Sequence, residues 1–106
     1  MCTAILAFGF AMLMISPTAL AQDRMALIEQ GKKLFFDQGC FGCHTIGKVG
    51  TPIGPDLSQV GDKYAPAYLV GWLRDPLSQK RTAHMPKIEL TEQEIQALAA
   101  YLSSLR

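Results

Sequence analysis

A marked imbalance of charge is absent from this chain. Its 106 residues include 10 lysines and arginines and 9 aspartates and glutamates, which gives a net charge of +1. Domains that bind nucleic acid usually carry a basic patch, so this balance argues against that class of partner. Any electrostatic steering of a partner must come from a local group of charges.

Strand-like alternation and internal repeats are also missing, so the sequence predicts no β-strand. Cysteine is scarce, with only Cys2, Cys40 and Cys43. A disulfide between Cys40 and Cys43 would close a very small loop and would constrain the unfolded chain little. The sequence therefore favours a helical fold, and it favours a chemical role for this cysteine pair over a stabilising one.

Charged residues are missing from the first 22 positions. An apolar run from Ala4 to Ile15 precedes Ser16-Pro17, where we expect a helix to end, and then Ala19-Leu20-Ala21. This order predicts a secretory signal peptide over residues 1–21 and a domain over residues 22–106. No basic residue opens the segment, and a retained membrane anchor is the alternative. The apolar run is short for a membrane span and Pro17 interrupts it.

The chain does contain the pentapeptide Cys40-Phe41-Gly42-Cys43-His44. Two thiols at this spacing can form thioethers with the two vinyl groups of a haem, and the histidine can give the iron its proximal nitrogen ligand. A zinc site would need histidines separated from the cysteines, whereas His44 adjoins Cys43. A thioredoxin-like redox pair would need strands nearby. The motif therefore predicts one covalently bound haem c.

Three helices are predicted around this motif. Gly31 lies inside the first, where it costs about 1 kcal/mol relative to alanine, so either another element crosses closely or it is a neutral surface glycine. Gly39 ends that helix. Thr91 and Glu94 form a capping box for the last helix. The predicted helices cover residues 23–38, 65–74 and those after Thr91, with loops over residues 45–63 and 77–87.

A haem iron with one histidine needs a sixth ligand or keeps an open position. If the signal peptide is removed, Met25 and Met85 are the remaining methionines. Met25 precedes the motif in the approaching helix, whereas Met85 follows His44 by 41 residues, far enough to reach the opposite face. Met85 is therefore the predicted sixth ligand, with a role as core filler as the alternative. His84 adjoins it and would point the other way in an extended segment, towards solvent or a propionate.

The whole mature region resembles the class I c-type cytochromes, which are small all-helical proteins wrapped around one covalently bound haem. The resemblance rests on Cys40 to His44, the segment Gly54-Pro55-Asp56-Leu57, the helix with Trp72, and Met85-Pro86. It implies an all-α, cytochrome c-like fold with three or more helices. It also implies that the Pro55 carbonyl accepts a hydrogen bond from His44, and that Trp72 either bonds a haem propionate or fills the core.

The first and last helices of this family cross near a right angle. The resemblance therefore implies that Gly31 packs beside Tyr101. It also implies export, because the thioethers of such proteins form outside the cytoplasm in bacteria. We accordingly expect a periplasmic location, or membrane attachment through an uncleaved N-terminal segment.

The expected function is one-electron transfer without chemistry on a small-molecule substrate. Expected partners are redox proteins, including membrane oxidoreductase complexes or a periplasmic dehydrogenase. The alternative is an electron-relay subunit of a larger redox enzyme. A gas sensor or peroxidase-like enzyme remains open if Met85 does not bind iron. Lys80, Arg81 and Lys87 flank the ligand loop and either steer an acidic partner or form a solvated surface.

Overall fold

The computed structural model describes residues 3–4, 7–14 and 16–106, and its regular structure in those ranges is mostly helical. This confirms the predicted all-α class. A short 3₁₀ turn covers Cys40–Gly42. The helices are α1 (Pro17–Asp37), α2 (Val60–Lys63), α3 (Pro66–Arg74), α4 (Pro76–Gln79) and α5 (Glu92–Ser103).

Two short strands lie in the first predicted loop, so the prediction of no strand is wrong there. β1 (Thr45–Ile46) and β2 (Val49–Gly50) pair antiparallel. Strands of two residues are too short to show an alternating pattern of apolar and polar residues, which explains why the sequence does not announce them. Each predicted loop also overlaps a single helical turn: the first ends in α2, and α4 extends into the start of the second.

Helix α1 begins at Pro17, six positions before the predicted start at Asp23. The Ser16 side chain accepts a hydrogen bond from the Ala19 backbone N–H at 3.3 Å, which caps the helix. Proline is favourable at the first helical position because it needs no hydrogen bond from its nitrogen there. The expectation that Ser16-Pro17 ends a helix is therefore wrong. At the other end Gly39 has a φ of 74°, as predicted for a helix-ending glycine.

The predicted signal peptide lies partly outside the described residues, and its cleavage stays a prediction. Among the described residues, no helix combines the length and the apolar character that a membrane span requires.

Helices α1 and α5 cross in direct contact at Gly31. A Cβ atom built on Gly31 would overlap the Ala97 carbonyl oxygen and would lie 2.7 Å from Tyr101 Cβ. The glycine is therefore needed for the close approach of the two backbones, and the alternative of a neutral surface glycine is wrong. The core continues through Phe35 and Leu98, which are 2% and 1% exposed. This crossing fixes the direction in which α1 delivers the chain to Cys40.

Helix α3 packs on α5 through the buried side chains of Leu69 and Leu73. An exposed ion pair joins the two helices, with Arg74 Nη2 lying 2.8 Å from Glu92 Oε2. The predicted capping box of α5 is present, since Thr91 Oγ1 accepts from the Glu94 N–H and Glu94 Oε1 accepts from the Thr91 N–H. The apolar contacts and the ion pair hold α3 against α5, where α3 forms one wall of the functional cavity.

Candidate functional site

A cavity of about 500 Å³ opens between α3, α5 and the two loops. Its lining is mostly apolar and includes Phe35, Leu57, Leu69 and Leu98. The chemically reactive side chains of the sequence prediction also line it, namely Cys40, Cys43, His44, Trp72 and Met85. Segments far apart in the sequence therefore bring the predicted haem-binding residues to one space.

The two cysteines enter the cavity from the turn that follows α1. The Cys40 carbonyl accepts hydrogen bonds from the N–H groups of Cys43 and His44, at 3.2 and 3.0 Å, which curls the pentapeptide tightly. Cys40 is partly buried and Cys43 is exposed, and both are free thiols. Burial raises the pKa of the Cys40 thiol, and the neighbouring Cys43 also raises it. A hydrogen bond with the Cys40 backbone lowers this pKa and offsets part of the rise.

The His44 ring has a defined orientation. Its Nδ1 lies 2.8 Å from the Pro55 carbonyl oxygen. A carbonyl can only accept a hydrogen bond, so this contact requires the proton on Nδ1 and leaves the lone pair on Nε2 available for a metal. The structure thus brings together the pair that the family resemblance implied.

Gly54 makes room for this arrangement. A Cβ atom on Gly54 would lie 2.8 Å from His44 Cε1 and 3.1 Å from the Cys43 carbonyl oxygen. The Gly54 N–H donates to that carbonyl at 2.5 Å. The loop therefore passes against the imidazole ring at a distance that only glycine allows.

Met85 lies in the segment after α4, partly buried against the core. Its Sδ accepts a hydrogen bond from Trp72 Nε1 at 3.0 Å. The Trp72 indole N–H is thus directed at Met85. Neither a bond to a propionate nor a place in the core predicts this partner. No pattern in the sequence connects these two residues, because their contact depends on the path of the intervening loop.

Two tyrosines of the lining were not singled out from the sequence. Tyr64 and Tyr68 stack with ring centroids 4.7 Å apart, and Tyr68 stacks on Trp72 at 6.3 Å. Tyr68 and Trp72 lie four residues apart within α3, and this spacing is the signal that could have found Tyr68, since side chains at i and i+4 share one side of a helix. Tyr64 precedes α3 in extended backbone, so no helical spacing points to it. Together they form an aromatic wall of the cavity.

The remaining sequence candidates lie outside or at the edge of the cavity. Met25 is 67% exposed on α1 and does not line it. His84 is exposed, as expected, and lines the cavity edge, as does Lys80. Arg81 and Lys87 are exposed.

Comparison with known families identifies the family of this chain. The sequence profile of the cytochrome c family matches residues 28–106. The chain belongs to the cytochrome c family. The chemistry of this family is one-electron transfer by a covalently bound haem c, and the Cys40-to-His44 motif is its attachment pattern.

Several curated proteins are similar to this cytochrome. Cytochrome c oxidase subunit 2 of Alkalihalophilus pseudofirmus is 36% identical over 89 residues, which cover 76% of this chain and 26% of that protein. A nitric oxide reductase subunit from Halomonas halodenitrificans is 31% identical, covering 68% of this chain and 54% of that protein. The corresponding nitric oxide reductase subunit from Stutzerimonas stutzeri is 27% identical, covering 71% and 56%. The cytochrome therefore spans only about a quarter to a half of these relatives.

The residues present fit a haem c. Two free thiols, a histidine with an available Nε2 and a thioether sulfur line one cavity with an apolar wall. In contrast, no group of three or more histidine, cysteine, aspartate or glutamate side chains suited to a metal ion occurs in the described part of the chain. The donor set thus fits a macrocycle that brings its own four nitrogens, and it does not fit a zinc site.

Proposed function

We propose that this cytochrome carries single electrons between redox proteins outside the cytoplasm, with His44 and Met85 as the two axial ligands of the haem iron. Cys40 and Cys43 form the thioether bonds. The observation that carries the proposal is the His44 contact with Pro55, because it frees Nε2 in the same cavity that Met85 lines.

When bound, the haem supplies the one-electron chemistry of its iron. The chain's own residues control it in three ways. The Pro55 carbonyl orients the His44 ring and increases its basicity. The Met85 thioether, a soft ligand, favours the reduced state and a relatively positive potential. The apolar lining excludes water, which further disfavours the more highly charged oxidised state.

Trp72 has a supporting role in this proposal. Its indole N–H faces Met85 Sδ at 3.0 Å and can stabilise the orientation of the sulfur. A sulfur with two lone pairs can accept this hydrogen bond through one and use the other for iron. If His44 and Met85 both bound the haem iron, no position on the iron would remain for a substrate, and we accordingly propose that the protein is not itself an enzyme.

The similar proteins support redox partners of a particular kind. They are subunits of an oxidase and of nitric oxide reductases, so cytochromes of this sequence type occur within redox complexes. We propose a membrane oxidoreductase complex or a periplasmic dehydrogenase as the partner of this chain, with a permanent relay subunit as the second candidate. Copurification separates the two, because a free carrier leaves its partner at high ionic strength whereas a permanent subunit remains bound.

The periplasm is the proposed location, and a retained N-terminal segment is the alternative to a free protein there. Lys80, Arg81 and Lys87 are exposed beside the Met85 segment and can attract an acidic partner. Fractionation of cells into periplasm and membranes tests the location. Sequencing the N-terminus of the purified protein tests the predicted cleavage after Ala21.

The ligand assignment is tested by optical spectroscopy of the oxidised protein. Oxidised haems with a methionine ligand have a weak far-red absorption band, and we expect Met85→Ala to remove it. Met25→Ala is the matched control, because Met25 is 67% exposed and does not line the cavity. If Met85→Ala leaves the band unchanged, another methionine binds the iron and the assignment of Met85 is wrong. If wild-type protein lacks the band and binds small gases, the carrier assignment is wrong and a sensor or peroxidase-like function takes its place.

A further inference from the structure

The carboxylate of Asp56 is the centre of a hydrogen-bond network beside the His44 ring. Its Oδ1 accepts from Thr45 Oγ1 at 3.0 Å, from Ser58 Oγ at 2.8 Å and from the Ser58 N–H at 3.2 Å. Thr45 directly follows His44, and Asp56 directly follows Pro55. The network therefore joins the neighbours of the two residues whose side chain and carbonyl form the Nδ1 contact.

Backbone contacts hold together the two segments that carry the network and the hydrogen bond between His44 and Pro55. Thr45 and Asp56 form a parallel bridge, and the Leu57 N–H donates to the Thr45 carbonyl at 2.8 Å. On the other side of the contact, the Gly54 N–H donates to the Cys43 carbonyl. The hydrogen bond between His44 and Pro55 thus lies between two backbone hydrogen bonds, one from Gly54 to Cys43 and one from Leu57 to Thr45. Asp56 reinforces the second through its bond with Thr45.

The same network reaches the β1–β2 hairpin. Ser58 Oγ accepts from the Gly47 N–H at 2.7 Å while it donates to Asp56. Hydrogen bonds to a charged acceptor are about twice as strong as neutral ones, which lets an exposed carboxylate hold these groups in water. The pKa of Asp56 is lowered by these bonds, first by those from Ser58, with Thr45 and the nearby Lys63 adding to the effect.

We infer that Asp56 is a positioning residue that sets the strength of the hydrogen bond from His44 to Pro55, and through it the reduction potential of the haem. This inference rests on the proposed role of His44 as an axial ligand. A firm Nδ1–H bond makes the imidazole a stronger electron donor, which stabilises oxidised iron. Loosening the network weakens that bond, so the potential becomes more positive.

Two simpler roles of Asp56 have to be separated from positioning. Asp56 could stabilise the loop without effect on His44, or its negative charge alone could lower the potential. Thr45→Val and Ser58→Ala remove donors and keep the charge. Asp56→Asn removes the charge and keeps an oxygen that can accept from Thr45 and Ser58, whereas Asp56→Ala removes both.

The experiment uses the haem-loaded protein and three readouts: the reduction potential, the exchange rate of the His44 Nδ1 proton measured by NMR in the reduced state, and the urea midpoint of unfolding. We expect Thr45→Val, Ser58→Ala and Asp56→Ala to raise the exchange rate about fivefold to tenfold, the range for loss of one hydrogen bond. Their potentials become more positive. Asp56→Asn keeps an acceptor oxygen that binds the same donors more weakly, so it raises the exchange rate less than Asp56→Ala does. Asp62→Asn serves as the control for loss of one negative charge elsewhere.

Three outcomes overturn the inference. If Thr45→Val and Asp56→Ala lower the urea midpoint but leave the exchange rate and the potential unchanged, Asp56 is only a structural residue. If Asp56→Ala and Asp56→Asn shift the potential equally without faster exchange, it acts through charge alone. If the His44 ring resonances of the wild type lack the large upfield shift caused by an adjacent haem plane, the axial role of His44 itself is wrong.

Discussion

The segment with His44 and the segment with Met85 line the same cavity, but they are restrained very differently. On the His44 side, residues 43–58, the backbone and the side chains of Thr45, Asp56 and Ser58 form a continuous hydrogen-bond network. On the Met85 side, residues 84–90, the bond from Trp72 is the one hydrogen bond among the described residues. Buried contacts and the stiffness of Pro86 must hold the rest of this segment.

This difference indicates which side of the site opens first. Local opening is easiest where few hydrogen bonds and few buried contacts hold the backbone. We therefore expect His44 and the cysteines to form a permanent anchor, and Met85 to be the ligand that is released when the protein is stressed. A redox carrier tolerates such an arrangement, because the covalent bonds keep the haem in place while one ligand is away.

The largest expected effect distinguishes the residues that attach the haem covalently from the residue proposed to bind its iron. Replacing both Cys40 and Cys43 by serine should abolish covalent haem attachment, because no thiol remains in the cavity to bond the vinyl groups. Met85→Ala should keep its haem attached. Haem staining after denaturing electrophoresis measures both. Cys2→Ser is the control and should stain like wild type, and a stained double variant would contradict the attachment sites.

A smaller effect is expected when two glycines are compared, Gly54 beside His44 and Gly71 in α3. Gly54→Ala should destabilise the protein by about 1–3 kcal/mol, because the added Cβ would lie 2.8 Å from His44 Cε1 and 3.1 Å from the Cys43 backbone carbonyl oxygen. Gly71→Ala in α3 should be neutral or stabilising by about 0.5–1 kcal/mol. Its Cβ would meet only the flexible end of Gln79, at 2.9 Å.

Urea unfolding of both haem-loaded variants, followed by circular dichroism, measures this difference. Equal losses of unfolding free energy in the two variants would show that Gly54 is no more tightly packed than Gly71.

Removing the hydrogen bond to Met85 should have an effect of about 1 kcal/mol. Trp72→Phe keeps an aromatic ring but loses the N–H that lies 3.0 Å from Met85 Sδ. We expect the far-red band of methionine ligation to disappear at a lower urea concentration, while the helical signal retains nearly its wild-type midpoint. Tyr68→Phe is the matched control within the same aromatic wall. Coincident loss of both signals in Trp72→Phe would contradict an independently opening Met85 side.

The smallest effect is the pH dependence of the Asp56 network. Hydrogen bonds from Ser58 and Thr45 lower the pKa of Asp56 below its ordinary value of 3.8. The stability that these bonds contribute is therefore complete above that ordinary value, and it is lost as the pH falls through the lowered pKa of the folded state. The effect is small because the carboxylate is solvent-exposed and screened.

Acid titration of the urea midpoint measures this contribution. The advantage of wild type over a variant with both Thr45→Val and Ser58→Ala should shrink at low pH. An advantage that stays constant through the acid range would contradict it.

Much of the site could be predicted because its signals are local. Cys40, Cys43 and His44 lie within five positions, so their common role follows from spacing alone. The capping box at Thr91 is equally local. Gly31 is informative for another reason: a glycine inside a helix is costly unless a neighbour needs the space, and the Ala97 carbonyl and Tyr101 Cβ occupy that space in the structure.

Other features depend on contacts that local patterns do not encode. The sequence predicts that the first helix begins at Asp23 and that an earlier helix ends at Pro17, whereas α1 begins at Pro17. Proline occurs both at the first position of a helix and just after a helix ends. The Ser16 cap shows that Pro17 is at the first position of α1. The β1–β2 hairpin is likewise too short for a periodic signal, and its pairing depends on the loop that closes over His44.

The amino-acid sequence by itself determined the covalent chemistry of this cytochrome, because thioether attachment needs only two thiols and a histidine at one fixed spacing. It also determined the main helices, through caps and apolar stripes that act over a few residues. Only the tertiary structure decided that Trp72 faces Met85 and that Asp56 binds the loop beside the ring, and it gave the His44–Pro55 contact that the resemblance implied its distance. Loops bring these groups together from distant positions, and the geometry of such closures is set by the packing of the whole chain.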